Sequence, residues 1–368
     1  MDAHLILDRV FAQDYSDARR RFAEAVEARG GAIKSYLNPN RGPEGEELAT
    51  DTAWFGPQDA EAVLVQISAT HGVEGFCGSG AQVDWLLHGQ DWPLPEGVAV
   101  LMIHAINPHG FAWIRRCTEE GCDLNRNYID FDQPLPENPG YEELKDDLIP
   151  PALEGPEFEA AEARLAAYRE KHGADAFKIA WGGGQYKDSY GAFYGGEGPT
   201  WARRTLEAIV ADTDLASRKR VAIVDYHTGL GPFGYGELIS AHTVGSENVE
   251  RAKRWYGLSV TQPDLGTSAS VPKTGLGELG WERMLGDKVS CIAIEYGTFT
   301  TEEGRIALRA DHWLHKHRNL DWSSAETRTI KARLKRHFYP ETPDWQEMVL
   351  LRSRMVVRQG LEALAGEV

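Results

Sequence analysis

Four short apolar runs, at residues 62–69, 98–106, 221–226 and 289–296, most constrain what this chain can fold into. Each is rich in β-branched residues and shows little polar alternation, the pattern of a strand buried on both faces. Helical texture separates them, as at 78–88, and strands alternating with helices indicate an α/β fold with a largely parallel sheet. Ahead of the first run, residues 14–30 read as an opening helix. Ser16 is its expected N-cap, Phe22, Ala25 and Val26 form its apolar stripe, and Gly30-Gly31 stops it. Residues 32–37 and 47–55 are further strand candidates. With 368 residues the chain is long enough to bury a large core, and one domain over 1–368 is expected.

Between about 131 and 215 the texture changes to prolines, an amphipathic helix at 157–172 and a Gly- and Tyr-rich loop. This reads as an insertion packed over one edge of the sheet. C-terminal helices are expected at about 304–365, as 304–318 and 344–365. No apolar run reaches 18 residues, so no membrane span is expected. The first residues lack the basic and long apolar regions of a signal peptide. The net charge of −17 argues against a nucleic acid or an anionic membrane as partner. Four cysteines are too few for a disulfide framework in a chain of this length and read as reduced thiols of a cytoplasmic protein. The sequence is silent on oligomeric state.

The first run leads into His71-Gly-Val-Glu74. Imidazole and carboxylate three residues apart can reach one zinc ion, and catalytic zinc sites commonly take two His and one Glu while keeping a position for water. The third run leads into Asp225-Tyr-His227. The fourth carries Glu295, whose charge inside an apolar strand is costly unless it is paired or used. His71, His227 and Glu295 thus each follow or close a buried strand. Ligands in open α/β sheets bind beyond the carboxyl ends of the strands, where distant residues can converge. Arg115-Arg116 and Asp123-Leu-Asn125-Arg126 add planar forks that suit a carboxylate, a neutral amide donor, and an acid suited to hold a zinc-bound imidazole.

His71-x-x-Glu74, Asn107-Pro-x-Gly110, Asp123-Leu-Asn125-Arg126-Asn127, Asp225-x-His227 and Glu295 are similar, in order and context, to the motifs of the zinc carboxypeptidases. Within that superfamily the chain most resembles a bacterial carboxypeptidase-like subgroup. The resemblance implies an α/β fold with a twisted, mixed sheet of about eight strands and helices on both faces. It implies a metallopeptidase-like zinc hydrolase with one Zn²⁺ per chain on His71, Glu74 and His227. Its substrate would be a small molecule or peptide with a free carboxylate, cut at the adjacent amide bond. Glu295 would be the general base, one of Arg116 and Arg115 would stabilise the oxyanion, Asn125 and Arg126 would clamp the carboxylate, and Asp123 would orient His71.

The chain departs from the pattern in two places. Peptide-cleaving members carry a tyrosine about twenty residues before the catalytic glutamate, but residues 268–277 contain none, and Tyr235 and Tyr256 fall too early. Tyr186, Tyr190 and Tyr194 of the insertion are the candidates for a replacement phenol. The insertion also lengthens the spacing from Glu74 to His227. Two alternatives follow: an N-acyl amino acid deacylase of the desuccinylase or aspartoacylase type, and a non-catalytic carboxylate-binding protein on the same scaffold. The second has no use for Glu295. Gly229-x-Gly231-x-x-Gly234 lacks the following helix of a dinucleotide site, and His312, His315 and His317 read as a helix face, not a second metal site.

Overall fold

The computed structural model describes residues 3–89, 93–318 and 320–368. Its strands are β1 (Ile33–Arg41), β2 (Glu47–Phe55), β3 (Ala62–Ile67), β4 (Val98–His104), β5 (Arg220–Thr228), β6 (Gly236–Ile239) and β7 (Val289–Tyr296). They form one sheet in the order β1-β2-β4-β3-β5-β7-β6. Strands β4, β3, β5 and β7 run parallel, while β1, β2 and β6 pair antiparallel at the two edges. The fold is therefore α/β with a mixed sheet, seven-stranded among the described residues, where about eight strands were expected.

The four apolar runs are the parallel core, and the reason is burial on both faces. Val221 and Ile223 of β5 point into one cluster with Val63, Val65 and Cys291; Ala222, Val224 and Tyr226 point into another with Leu64, Met102 and Ile294. Helices Tyr15–Ala28, Gly75–His88 and Pro343–Ala365 cover the second cluster, and Trp201–Asp212 and Gly277–Leu285 the first. The opening helix starts one residue before the expected cap. Asp14, not Ser16, accepts from the backbone N–H of Asp17, because its carboxylate already satisfies the first turn.

Of the segment expected as an insertion at about 131–215, the last helix, Trp201–Asp212, packs on the sheet face, while the part before it folds as helices Pro139–Leu148, Pro156–His172 and Ala174–Gly182. Their apolar faces share a cluster with Trp313 and Leu314 of helix Thr301–His317, so this segment and the C-terminal part pack on each other. A helix over Ala325–Phe338, not foreseen from the sequence, lies between the two C-terminal helices that were expected. Because β3, β4, β5 and β7 are parallel, their carboxyl ends lie at one edge of the sheet. The loops after them meet there.

Candidate functional site

The turn that carries His71 and Glu74 is fixed by backbone contact. Its N–H groups at Gly72 and Val73 donate to the carbonyls of Arg116 (3.2 Å) and Arg115 (2.8 Å). A Cβ on Gly72 would stand 2.0 Å from the carbonyl carbon of Gly110, so only glycine allows the two turns to touch. Asn107 secures the second turn by accepting from the N–H of Gly110 at 2.8 Å. This accounts for Asn107-Pro-x-Gly110 as scaffolding. It also delivers the Arg116 side chain to His71.

His71, Glu74 and His227 are buried, and one donor atom from each lies within 4.8 Å of the others. The Nδ1 atoms of the two histidines are 3.1 Å apart; Glu74 lies 2.9 Å from the first and 3.1 Å from the second. Each far Nε2 faces its own carboxylate: His71 sits 3.2 Å from Asp123, and His227 sits 3.0 Å from Asp225. Asp225 is held in turn by the Thr70 hydroxyl at 2.9 Å. With the proton on Nε2, facing the carboxylate behind each ring, the Nδ1 lone pair would be turned towards the shared centre, as in metal-binding histidines. Two imidazole nitrogens and a carboxylate oxygen form a donor set that fits zinc. Among the described residues this is the one His/Cys/Asp/Glu group so arranged.

Charge in this cluster is balanced by its neighbours. Burial works to raise the Glu74 carboxyl, but His71, His227 and Arg116 outweigh it and hold it well below the usual range. For His227, burial works downward and is overcome by Asp225 and Glu74, which raise it well above an ordinary imidazole. Asp123 is likewise held low against burial, by Arg116, Arg126 and His71. Arg116 spans the cluster, with Nε on Asp123 and Nη1 on Glu74, both at 3.0 Å, and Nη2 2.8 Å from Nε2 of His71.

Glu295 is the direct ladder partner of His227 on the adjacent parallel strand, which places the carboxylate beside the donor set. Its Oε1 accepts from the N–H of Leu230 at 3.0 Å. Burial pushes it up to about 7, helped by the charge of Glu74 and opposed by His227, Lys273 and the Leu230 N–H. A carboxylate so poised is suited to take up and release protons near neutrality.

These groups open onto a cavity of about 340 Å³ that is lined by His71, Arg116, Asn125, Arg126, His227 and Glu295. Phe177, Lys178 and Trp181 of the 131–215 segment form part of its wall, as do Arg305, Leu308 and Phe338 from the C-terminal part. Of the two arginines left open by the sequence, Arg116 faces this space. Arg115 instead donates to the buried Asp311 at 3.2 Å and does not line the cavity. Asn125 accepts from Gly277 N–H, while Arg126 donates to the carbonyls of Asn125 and Gly182. Tyr186, Tyr190 and Tyr194 do not line the cavity, and the Tyr186 hydroxyl donates to the Arg126 carbonyl at 2.7 Å. The group that does face the cavity from the tyrosine-less stretch is Lys273, which the sequence reading missed. Its only signal was a lone cation in a Ser- and Gly-rich loop. His312 and His315 pack into a separate buried network around Asp311 and Lys331.

A family model matches residues 11–352. The chain belongs to that family, described as "Protein of unknown function (DUF2817)". A search of the curated proteins found no match for this DUF2817 chain. Among solved structures it is similar to carboxypeptidase A from Helicoverpa armigera (13% identity, 96% of this chain and 74% of that one, TM-score 0.48). It is also similar to the succinylglutamate desuccinylase from Chromobacterium violaceum (13% identity, 87% and 74%, TM-score 0.36). A third is the murein-tripeptide amidase MpaA from Escherichia coli O157 (15% identity, 79% and 93%, TM-score 0.33). Among the described residues no helix is long and apolar enough to cross a membrane.

Proposed function

We propose that this protein is a zinc-dependent hydrolase that cleaves an amide bond next to a free carboxylate. The observation that carries the reading is the convergence of His71, Glu74 and His227 with Glu295 one ladder position away, on a cavity of small-molecule size. His71, Glu74 and His227 would hold the metal. Zinc in such a site supplies a Lewis acid and brings the pKa of water to about 7.

The remaining work falls to this chain's own groups. Glu295 takes the proton of the attacking water at its carboxylate and returns one to the leaving nitrogen, which suits a buried carboxylate on the strand beside His227. Arg116 donates to the oxygen that becomes negative as the carbonyl is attacked. Asn125 and Arg126 orient the substrate carboxylate. Asp123 and Asp225 keep the two imidazoles turned to the centre. Walls drawn from the 131–215 segment, and a cavity lined by no tyrosine among the described residues, favour a small N-acyl amino acid over a peptide.

The test is amine release from a panel of N-acyl amino acids and C-terminal dipeptides, with metal measured on the same preparation. About one zinc per chain and turnover on at least one amide are expected. Glu295→Gln should keep the metal and lose at least about 10²–10⁴ in kcat. Zinc-free protein with no affinity for added zinc, or an active E295Q, would overturn the assignment. Full zinc with no hydrolysis of any amide would leave the carboxylate-binding alternative.

A further inference from the structure

One wall of the cavity is drawn from two segments that carry none of the metal or catalytic residues. Phe177, Trp181 and Phe193 come from the 131–215 segment, and Leu308 and Phe338 from the C-terminal helices. Packing holds these side chains in place. Phe193, Leu308 and Phe338 belong to one buried cluster with Val73 of the metal-site turn. Trp181 packs against that cluster, edge-on to Phe193 with ring centroids 5.3 Å apart. Phe177 and Trp181 are also backed by the cluster that joins the 131–215 segment to helix Thr301–His317.

The wall adjoins the reacting centre at both ends. The Phe193 ring centroid lies 5.3 Å from the guanidinium carbons of Arg116 and of Arg126. At the other end the Phe338 carbonyl accepts from the hydroxyl of Thr228, the residue after His227, at 2.7 Å. The wall thus runs from Arg116 to the end of β5 and flanks the donor set. Its charged residues stand at the rim: Arg169 and Lys178 are exposed, Lys178 pairs with Asp175 at 3.3 Å, and Arg305 pairs with Glu302 at 2.6 Å and Glu162 at 2.9 Å. A carboxylate laid against the aromatic wall would lose its water and gain no counter-charge from those rings, whereas an apolar group is stabilised by every bit of surface it buries there.

We propose that this wall receives the acyl side of the substrate, and that the acyl group is an apolar arm of several carbons, not an acetyl or a short acidic acyl. With the carboxylate on Asn125 and Arg126 and the carbonyl oxygen at Arg116, the arm is the part of the molecule left to place. Phe193, in contact with Arg116, is the first wall residue it meets. This rests on the hydrolase reading for the bond that is cut, although binding of the arm is measurable without turnover.

The test is calorimetric titration of the protein as purified with N-acetylglycine, N-succinylglycine and N-octanoylglycine, which share one amino acid and differ in the acyl arm. Amine release is followed on the same samples. Wild type should bind N-octanoylglycine at least about thirtyfold more tightly than N-acetylglycine, the effect of burying about half of its extra methylenes, and more tightly than N-succinylglycine. Trp181→Ala and Phe177→Ala, made singly at half-buried positions, should each lower the octanoyl-to-acetyl ratio at least about fivefold, and Trp181→Phe should keep most of it. A wild-type ratio near one, tighter binding of the succinyl compound, or a ratio unchanged in both alanine variants overturns the proposal. The wild-type titrations decide even if a variant folds poorly. Octanoyl preference in binding without hydrolysis of any amide would sink the hydrolase reading and leave this one standing. Amide turnover with equal binding of the acetyl and octanoyl compounds would do the reverse.

Discussion

Arg115 and Arg116 are consecutive, yet they end in two buried ionic clusters of opposite character. Arg115 joins Asp311 and Lys331, where the carboxylate takes Lys331 at 2.6 Å on one oxygen and Arg115 at 3.2 Å on the other. The two cations hold Asp311 well below the usual range against the effect of burial. That cluster closes on itself, and none of its three residues lines the 340 Å³ cavity. Arg116 joins His71, Glu74 and Asp123, where two ring nitrogens and a carboxylate converge on one point beside open space. Burial and charge alone do not mark a site. What distinguishes the second cluster is donor atoms aimed at a common centre, with room left in front of them.

The widest separation between the clusters should come from the two arginines themselves. Arg116→Met is expected to cost about 10²–10³ in kcat, roughly 3–4 kcal/mol, as for loss of one oxyanion donor. Arg115→Met should leave kcat per folded molecule unchanged and lower unfolding free energy by about 3–5 kcal/mol, the usual cost of unpairing a buried ion pair. Urea unfolding and amide turnover on both variants read this directly. Both variants unpair a buried ion and should lose stability, so turnover is what separates them, and equal effects on kcat would erase the distinction.

Acid should probe the closed cluster next. Burial, reinforced by Arg115, pushes His109 down to about 3, His312 to about 4 and His315 to about 2. Below pH 6.5 the unfolded chain takes up protons that these folded imidazoles refuse. Their contribution to stability is thus flat above that pH and falls as pH drops towards the folded values. Each imidazole contributes about 1.4 kcal/mol per pH unit at most. Urea midpoints at pH 7.5, 6.5 and 5.5 measure the slope, which His315→Asn should lessen. A smaller effect is expected at the open cluster: Asp123→Asn should weaken zinc binding about 10–100-fold without abolishing it. Competition with a chromogenic chelator checks this, and an unchanged affinity would mean that Asp123 does not hold His71 for the metal.

Much of the fold was legible because burial on both faces leaves a continuous apolar run. The bounds of β2 and β7 match the sequence reading residue for residue. Strands β3 and β4 end earlier than their apolar runs, at Ile67 and His104, because Ala69 and Ala105 adopt φ +60° and +56° and turn the chain out of the sheet. An alanine carries no sign of a left-handed backbone, so composition cannot show the turn. Helix Ala325–Phe338 escaped notice for a different reason: its sequence, AETRTIKARLKRHF, is mostly polar and basic and shows only a thin apolar stripe. The insertion's phenols, the candidates for a replacement tyrosine, do not line the cavity, whereas Lys273 of the tyrosine-less loop does.

By itself the sequence determined which segments are buried strands and which metal-competent and basic residues stand at their ends. Those features follow from local periodicity and from the cost of placing a charge in an apolar run. Only the tertiary structure decided that His71, Glu74 and His227 meet, that Arg116 and not Arg115 faces them, and that Lys273 joins their cavity. The direction of a side chain after a turn, and contact between residues more than 150 positions apart, depend on how the whole chain packs. No local pattern encodes either.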